Sequence, residues 1–441
     1  MLGYYFGLAL RSFMRNKVLT ALMVLALGLG IGAFVTTLTA VKLLAGNPLP
    51  QKSALLFTPE LDPFPLSNGS PNGTPPAGDE MPYLDAMNLL HAHKALRQAV
   101  MAEASITVTP TRVDQRPFFS NATMTTADFF PMFSVPFEYG TGWDSADDDD
   151  RARLAVITQS LNDKLFGGRD SVGQTLPING HDYRIIGVLR PWVPQPRFYA
   201  INLGGETYGW GDAVYIPLQS GFADGMQPEN PNCWSASASV STMADPTYLE
   251  TAPCISVSVW VELRQPSDAS SYKTFLSNYV HQQMALGRFH WPETWFPNLM
   301  GFVHQQQIVP DEARWETYLA FGFLLICIVN TVGLLLAKTL RRVREIVVRR
   351  ALGASRAAIF TQFIVEAGLI GLAGGVLGVV FAELGTWAAR HQSVAYAPLV
   401  HLDPFMFIAT FVIALVASLI AGILPAWRAC LVTPASQLQA M

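Results

Sequence analysis

Four long apolar runs constrain the fold of this chain more than any other feature of its 441-residue sequence. They cover residues 18–41, 317–337, 357–389 and 404–427. The third contains Glu366 and Glu383, and the other three contain no charged side chain, although the last directly follows Asp403. Each is long enough to cross about 30 Å of hydrocarbon as an α-helix that rises about 1.5 Å per residue. The sequence therefore predicts an α-helical membrane protein with four transmembrane helices.

The flanks of these runs support the prediction. Residues 1–17 form an amphipathic lead before the first run, whose apolar core is longer than that of a secretory signal peptide. We therefore expect a permanent first helix, with its lead lying on the inner membrane surface. Before the last run, Asp403 and Pro404 occupy positions that suit the N-cap and first residue of a helix.

The charges of the chain are distributed unevenly. Residues 43–316 hold 16 Lys and Arg against 29 Asp and Glu, whereas the remainder holds 13 basic and 4 acidic residues. Basic residues beside membrane spans stay in the cytosol, and an even number of spans leaves both termini on one side. The cytosolic side is then marked by Arg11, Arg15, Lys17 and Arg428. The acidic segment lies outside, which argues against nucleic acid as a partner.

The gap between the second and third runs, residues 338–356, carries seven basic side chains and a single acid, Glu345. Its apolar side chains recur at the steps of three and four that mark a helix, at Leu340, Val343, Val347 and Ala351. Gly353 suits the position after the helix end. We expect a short amphipathic helix at the cytoplasmic membrane edge, which binds either the bilayer surface or a partner protein.

The outer segment, residues 43–316, is large enough for one or two folded domains. A Pro, Gly and Asn-rich stretch near its start, residues 65–82, predicts a surface loop. Beyond it the patterns predict helices at residues 83–100 and 270–287, and strands at residues 105–109, 154–158, 183–189 and 255–263. The fold class is therefore four transmembrane helices with a large mixed α/β domain between the first and second.

Two of the four cysteines, Cys233 and Cys254, lie in the outer domain, whereas Cys327 lies in a span and Cys430 on the cytosolic side. The outer compartment allows a disulfide between the first two. Two unrelated free thiols are the alternative, because the sequence does not show the distance between them.

Two clusters of ligand-type side chains have ordinary interpretations. The acidic run at residues 147–150, with Asp144 nearby, lacks the alternation and the closing glutamate of an EF-hand loop, which favours a solvated turn. His91 and His93 fall on a predicted helix, where side chains two apart point to different faces. The chain contains no Walker A, GxSxG or HExxH motif. We therefore predict no catalytic, metal-binding or cofactor-binding residues.

Acids and glycines inside the spans require partners. Glu366 lies about two turns into its span, where an arginine of the basic loop can pair with it; a proton relay is the alternative, and the role of Glu383 stays open. Gly28 and Gly32 form a GxxxG pair that lets another helix approach closely, and we expect them to contact a second subunit. Further glycines line one side of the third span, at Gly371, Gly374, Gly375 and Gly378. For these, packing within the chain and contact with a second subunit are equally well supported.

Five segments of the chain together form a recognisable pattern. The end of the second span, the basic loop and the third span read NTVGLLLAKTLRRVREIVVRRALGASRAAIFTQFIVEAGLIGLAGG, and the C-terminal segment reads LPAWRACLVTPASQLQ. The lead and first span read LALRSFMRNKVLTALMVLALGLGIGA. The outer domain contributes TTADFFPMFSVPFEYGTGW and LAVITQSLNDKLFGGRDSVGQTLPINGHDYRIIGVL. These segments resemble the FtsX-like permeases of the MacB class; the resemblance covers nearly the whole chain, although Val347 stands where the family usually has glycine.

The resemblance implies a type VII ABC system, in which a dimer of permeases transmits closure of cytosolic ATPase domains to the periplasmic domains. In that family the loop between the second and third spans carries the coupling helix that sits on the ATPase. On this sequence the helix comprises Arg344, Glu345, Arg349, Arg350, Ala351, Leu352 and Gly353. Only residues 1–17 precede the first span, so the ATPase, with its ATP and Mg, is expected on a separate polypeptide, and this chain is expected to hold no cofactor.

The expected organisation follows from the spans and the resemblance. It begins with an interfacial helix (residues 1–17), a first span (18–42) and a periplasmic MacB-like core domain of two subdomains (43–316). A second span (317–337) and the loop with the coupling helix (338–356) follow. Two further spans (357–389 and 404–427) and a cytoplasmic tail (428–441) complete the chain.

The function implied is that of a non-enzymatic permease subunit in the bacterial inner membrane, which drives efflux of a compound or peptide from the periplasm. Its expected partners are the ATPase, a second permease that is identical or paralogous, a periplasmic adaptor, an outer-membrane channel and membrane lipids. Lipoprotein extraction, as by LolC and LolE, is one alternative, for which Trp192, Trp210 and Trp234 would supply an apolar surface. Activation of cell-wall hydrolases, as by FtsX, is the other. A long insertion at residues 191–253 weakens any transfer of the cargo.

Overall fold

A computed structural model describes residues 2–65, 79–111, 115–204, 207–209, 211–234, 248, 251–309, 311–391 and 402–431. The chain divides into two compact units. Met1–Ala45 with Val309–Met441 form one, which we call the membrane unit, and Gly46–Ile308 form the other, which we call the sheet unit.

The helices of the described residues are numbered in chain order. They are α1 (Leu2–Arg15), α2 (Lys17–Leu44), α3 (Tyr83–His91), α4 (Phe129–Phe133), α5 (Ser145–Asp149), α6 (Gln159–Phe166), α7 (Leu218–Ala223), α8 (Ala269–Ala285), α9 (Leu299–Gln305), α10 (Asp311–Leu340), α11 (Val343–Ala351), α12 (Arg356–Arg390) and α13 (Pro404–Leu431). A short 3₁₀ turn covers Pro266–Asp268.

The strands are numbered in the same way. They are β1 (Leu56–Phe57), β2 (Glu60–Leu61), β3 (Glu80–Met81), β4 (Arg97–Val108), β5 (Phe118–Thr125), β6 (Phe137–Gly140), β7 (Leu154–Thr158), β8 (Thr175–Ile178), β9 (His181–Leu189), β10 (Val214–Pro217), β11 (Asn232–Cys233), β12 (Cys254–Ile255), β13 (Val257–Glu262) and β14 (Thr294–Trp295).

Four helices of the membrane unit, namely α2, α10, α12 and α13, are long and apolar enough to cross a membrane. They coincide with the four predicted spans and extend beyond them by a few residues, because helical hydrogen bonding continues past the apolar core. The start of α13 confirms the predicted cap, since the backbone N–H of Met406 donates to Asp403 Oδ1 at 2.7 Å. The predicted architecture of four spans with a mixed α/β insertion is confirmed.

Glycines bring α2 and α12 into close contact. A Cβ atom built on Gly28 would lie 3.0 Å from the Leu377 side chain, and one on Gly32 would lie 2.5 Å from Phe381 Cβ. The space beside this GxxxG pair is therefore filled by α12 of the same chain. Our prediction that Gly28 and Gly32 contact a second subunit is wrong, because neither leaves room for another helix.

The contact between α12 and α13 depends on Gly371. A Cβ atom at this position would lie 2.0 Å from Ser418 Oγ and 2.9 Å from the Ala414 carbonyl oxygen. We expect Gly371→Ala to destabilise the membrane unit by about 1–3 kcal/mol, the usual cost of overpacking, measured as a lower melting temperature in detergent. Gly368→Ala is the matched control, since nothing lies within 4 Å of its added methyl group. Equal melting temperatures for the two variants would contradict this packing.

The sheet unit is built on ten strands in the order β1-β13-β4-β5-β10-β7-β9-β6, with β3 paired to β13 and β8 paired to β4 and β9. The long strand β4 runs antiparallel to both β13 and β5. Parallel pairing joins β10 to β5 and β7 to β9. Two small antiparallel pairs, β11–β12 and β14–β2, lie outside this sheet.

Apolar side chains cover both faces of this sheet. On one face Val100 and Ala102 of β4 pack with side chains of α3 and α8. On the other face Met101 packs in an aromatic cluster that includes Phe129, Phe133, Phe198, Tyr199, Trp260 and Phe302. Gly46–Ile308 cluster as one compact unit that contains this sheet, and the division of the domain into two subdomains stays a prediction.

The predicted helix over residues 83–100 is wrong in its second half. Helix α3 ends at His91, and residues from Arg97 onward form β4. In the first half of β4, residues 99–102 form an uninterrupted apolar run that is buried on both faces, so this part lacks the polar alternation that identifies a half-exposed strand. His93 falls outside the helix, with a positive φ of 48°.

The remaining predictions for this domain agree better with the structure. Cys233 and Cys254 are joined in a disulfide that links β11 to β12. The acidic run forms the short helix α5, in which Asp144 accepts hydrogen bonds from the N–H groups of Ala146 and Asp147. Most of the loop over residues 65–82 lies outside the described residues.

Three buried carboxyl groups near the start of this domain make its stability depend on pH. Burial raises the pKa of Glu60 and of Glu80 to about 8 and that of Asp79 to about 6, and the Asp79 charge adds to the shift of both glutamates. Between pH 4.5, the ordinary pKa of a glutamate, and pH 8, the folded state binds more protons at Glu60 and Glu80 than the unfolded state does. The stability that these two groups contribute is therefore fully present below pH 4.5 and is lost as the pH rises through 8.

We expect Glu80→Gln to remove part of this dependence. A neutral amide resembles the protonated acid, so the variant should match the wild type at pH 5 and melt at a higher temperature at pH 8. The slope of the free energy of unfolding against pH should change by up to about 1.4 kcal/mol per pH unit. The control is Glu138→Gln, an exposed acid on β6. Parallel melting curves for Glu80→Gln and the wild type across this range would show that Glu80 stays ionised when folded.

Candidate functional site

The seven basic side chains of residues 338–356 lie at one end of the membrane unit, which we call the basic end, and helix α11 forms its centre. It begins at Val343, and its C-terminus is closed by Gly353, whose φ of +96° is one that only glycine adopts without strain. The N–H groups of Gly353 and Ala354 donate to the carbonyl groups of Arg350 and Arg349, at 3.1 and 3.0 Å. The predicted helix and its glycine cap are confirmed.

One face of α11 is buried against the neighbouring helices. Ile346 and Val347 are the buried residues of α11. Ile346 packs in a cluster formed by Ile359 and Phe363 at the start of α12 and by Ala426, Ala429 and Cys430 at the end of α13. The helix is thus seated on two of the four spans.

Polar contacts add to this attachment. Arg349 donates to Gln362 of α12 at 3.1 Å and to Glu345 one turn back at 2.6 Å. Arg350 donates to the backbone carbonyl of Cys430 in α13 at 3.2 Å. Arg349 and Arg350 therefore hold α11 in place from within the chain, whereas Glu345 orients Arg349 from the same helix.

The opposite face of α11 is open. Leu352 is 83% exposed and Val348 is 57% exposed, and Arg344 lies exposed one turn before Val348. These three side chains recur every four residues, so they form one stripe. We call Arg344, Val348 and Leu352 the docking stripe.

The structure divides the predicted coupling residues between two roles. Arg344, Ala351, Leu352 and Gly353 are exposed, whereas Glu345, Arg349 and Arg350 are half-buried and make the contacts described above. Sequence reasoning missed Val348, because we placed the apolar stripe at Leu340, Val343, Val347 and Ala351. That stripe is wrong at its ends: Leu340 and Ala351 are exposed, and the buried side is centred on Ile346 and Val347.

A buried ionic cluster lies beside the start of α11. Glu366 of α12 is only 1% exposed and accepts a hydrogen bond from Ser12 of α1. The Lys338 ammonium of α10 pairs with Glu366 Oε1, and Arg342 Nη1 lies 3.5 Å from Oε2. The predicted pairing of Glu366 with an arginine of the basic loop is confirmed, and a lysine shares the carboxylate.

This cluster connects three helices and the start of the loop. Lys338 is 2% exposed and also lies over the Phe13 ring of α1, at 5.2 Å from its centroid. Charged groups so deeply buried are stable only when each has a partner. Glu366 is therefore the residue that joins α1, α10 and α12 at the basic end.

Glu383 has a different environment at the far end of α12. It is exposed and pairs with Arg390 at 2.7 Å, two turns along the same helix. Among the residues that the structure describes, no three His, Cys, Asp or Glu side chains come together as a metal site. The chemistry of the membrane unit is thus that of ion pairs and an open docking stripe on a firmly attached helix.

Comparison with known proteins gives matches along most of the chain. The family model described as MacB-like periplasmic core domain matches residues 20–274, and the one described as FtsX-like permease C-terminal matches residues 318–434. The pyoverdine export ATP-binding/permease protein PvdT of Pseudomonas syringae pv. tomato is 25% identical over 321 residues, which cover 70% of this chain and 41% of PvdT. The macrolide export ATP-binding/permease protein MacB of Azoarcus sp. is 24% identical over 337 residues, which cover 75% of this chain and 44% of MacB. The chain therefore spans less than half the length of these relatives.

Solved structures give weaker matches. The periplasmic region of MacB from Actinobacillus actinomycetemcomitans aligns with 57% of this chain and 94% of that region, at 11% identity and a TM-score of 0.35. The extracellular domain of the noncanonic ABC-type transporter YknZ from Gram-positive bacteria aligns with 51% of this chain and 91% of that domain, at 14% identity and a TM-score of 0.32.

Proposed function

Because this chain belongs to the family defined by the MacB-like periplasmic core domain and carries an FtsX-like permease region after it, we propose that it is the permease subunit of an ABC exporter. In this proposal the basic end of the membrane unit faces the cytoplasm, in line with the preference of basic residues for that side. The sheet unit then faces the periplasm.

The observation that carries the proposal is the asymmetry of α11. Its buried face is attached to α12 and α13 by apolar packing and by hydrogen bonds of Arg349 and Arg350, whereas the docking stripe on the opposite face is exposed. An exposed apolar centre with a basic rim is the composition expected of a protein interface. We propose that an ABC ATPase, with its ATP and Mg, binds this stripe.

The attachment of α11 explains how movement of an ATPase would be transmitted. A displacement of α11 acts directly on α12, a helix of about 50 Å at about 1.5 Å per residue. Its glycines pack against α2, and the chain continues from α2 into the sheet unit. ATP binding can shift the equilibrium between two positions of α11 only to the extent that the ATPase contacts α11 differently in its two states.

The names of the relatives suggest the rest of the assembly. PvdT and MacB are named for the export of pyoverdine and of macrolides. We propose that this chain likewise drives export of a compound or peptide, with a second permease subunit, a periplasmic adaptor and an outer-membrane channel. Lipoprotein extraction has less support, because Trp192 stacks on the buried Tyr199 at 5.7 Å between ring centroids and Trp234 packs edge-on against Phe64; Trp210 lies outside the described residues.

The first test is to purify the chain from its native membranes in mild detergent and to identify what accompanies it by mass spectrometry. We expect an ABC ATPase together with a periplasmic adaptor. An ATPase accompanied by a cell-wall hydrolase or a lipoprotein carrier would overturn the export proposal and leave the docking stripe in place. Absence of any ATPase, with the chain intact, would overturn both.

A further inference from the structure

The sheet unit contains a groove of about 990 Å³, lined by residues of β4, α4, β6 and α5. This volume lies at the upper end of the range of about 300–1,000 Å³ that small-molecule sites occupy. Three aromatic side chains form one wall: the ring of Phe130 lies 4.8 Å from that of Trp143 and 5.4 Å from that of Phe137, between centroids. We call this cavity the aromatic groove.

Asp148 is the informative polar residue of the aromatic groove. It belongs to the acidic run that the sequence favoured as a solvated turn, yet its side chain is only 7% exposed. Its carboxylate accepts hydrogen bonds from Trp143 Nε1 at 2.9 Å and from the Ala127 N–H at 2.8 Å, and both donors are neutral. The charged side chains that act on it in the described part of the chain are Asp149 and Asp147, which are acids as well.

The rest of the lining does not supply a counter-charge for Asp148. The arginine of the groove, Arg97, is already paired with Glu262 at 2.8 Å, and the other basic side chains of the lining are His91 and His93. A buried carboxylate is stable in its ionised form only beside a positive charge, so the groove has an unmet need for a cation. Further acids line the same cavity, namely Asp128, Asp144 and Asp149.

We propose that the aromatic groove binds an organic ammonium ion, whose charged group pairs with Asp148 and whose apolar part packs on the aromatic wall. A carboxylate beside aromatic rings is a combination that attracts organic cations, because the face of each ring carries partial negative charge. A metal ion fits less well, since no three His, Cys, Asp or Glu side chains of the described residues come together as a metal site.

This site belongs to the sheet unit alone. Its existence depends neither on the docking stripe nor on an ATPase, and it goes beyond the function proposed above, which assigns no ligand to the sheet unit. Failure of the binding experiment below would therefore leave the ABC exporter proposal untouched, and failure to recover an ATPase would leave the groove untouched.

The test is isothermal titration calorimetry of the full-length chain in detergent with 4-phenylbutylammonium as the probe. Burial raises the pKa of Asp148 to about 7, so the titration is done at pH 8, where the carboxylate is mostly ionised. The neutral 4-phenylbutanol, of nearly the same size and shape, is the matched probe, and protein-free micelles are titrated in parallel. We expect the ammonium to bind at least about tenfold more tightly than the alcohol, because only the ammonium forms a charge-assisted hydrogen bond.

Two variants locate the site. Asp148→Asn removes the charge and keeps the shape, so it should weaken binding of the ammonium at least about tenfold and leave binding of the alcohol unchanged. Asp182→Asn is its control, since Asp182 is an exposed acid on β9 outside the groove. The melting temperature of each variant shows whether it is folded.

A third variant decides the matter if Asp148→Asn does not fold. Ser145 is exposed and lines the groove at the start of α5, so Ser145→Lys places an ammonium group of the chain itself in the cavity and leaves Asp148 and its hydrogen bonds intact. We expect this variant to melt like the wild type and to bind the probe at least about tenfold more weakly. The matched control is Ser160→Lys, at an exposed position near the start of α6 outside the groove.

Three outcomes would overturn the proposal. These are no binding of 4-phenylbutylammonium beyond that of the micelles, equal affinity for the ammonium and the alcohol, and unchanged affinity for the ammonium in folded Asp148→Asn or Ser145→Lys.

Discussion

Leu352→Asp is expected to abolish stimulation of the partner ATPase while leaving the permease folded. The side chain is 83% exposed, so its replacement removes little packing within the chain. An apolar anchor at the centre of an interface contributes about 2 kcal/mol or more to binding, and a buried carboxylate without a partner adds a further penalty. Together these lower the affinity for the ATPase by a factor of at least about 30.

The measurement is ATP hydrolysis by the reconstituted complex, together with co-purification of the ATPase on tagged permease. Leu352→Met is the matched control, since it keeps an apolar side chain of similar volume and should retain both activity and binding. The melting temperature of the permease alone should be the same for both variants. Full stimulation by Leu352→Asp would show that the ATPase binds elsewhere.

The spans were predictable because hydrocarbon thickness is a single, strong constraint. Runs without charge and of sufficient length have few alternatives to a membrane helix, and α2, α10, α12 and α13 agree with prediction. The strongly basic composition of the loop at residues 338–356 was equally clear from the sequence. Pairing of Glu366 followed from the cost of a charge inside a span, which requires a nearby partner.

The orientation of α11 was less predictable, because several of its residues are apolar or have long apolar stems. Val347 was correctly placed on the buried side, but Val348 was missed. The choice between neighbouring valines depends on where Ile359, Phe363 and Cys430 lie, and these belong to other helices. Local periodicity identifies a helix, whereas tertiary contacts decide which side it buries.

A similar limit applies to β4 and to the glycines of α2. Alanines and methionines buried on both faces of a sheet do not alternate with polar residues, so Arg97–Val108 was partly read as helix. A GxxxG motif predicts that some helix comes close but does not say which. In this chain α12 occupies the place beside Gly28 and Gly32.

Glu366→Ala is expected to be the most destabilising single substitution at the basic end. It removes the partner of Lys338, which is 2% exposed, and leaves an ammonium group buried with no carboxylate beside it. Breaking a buried ion pair from one side costs about 3–5 kcal/mol. We expect lower yield from membranes and a marked fall in melting temperature in detergent, whereas Glu383→Ala, at an exposed pair, should have little effect.

The double variant Glu366→Leu with Lys338→Met decides what the ionic cluster is for. Replacing these two charges by apolar side chains removes their desolvation penalty along with their attraction, and of the cluster only Arg342, which is less buried than Lys338, loses its carboxylate. Most of the stability lost in Glu366→Ala should therefore return. If ATPase stimulation returns as well, the cluster serves only to hold α1, α10 and α12 together. If stability returns and stimulation does not, the ion pair itself takes part in transmitting the movement of α11. A Glu366→Ala variant as stable as the wild type would contradict the buried pairing on which both outcomes depend.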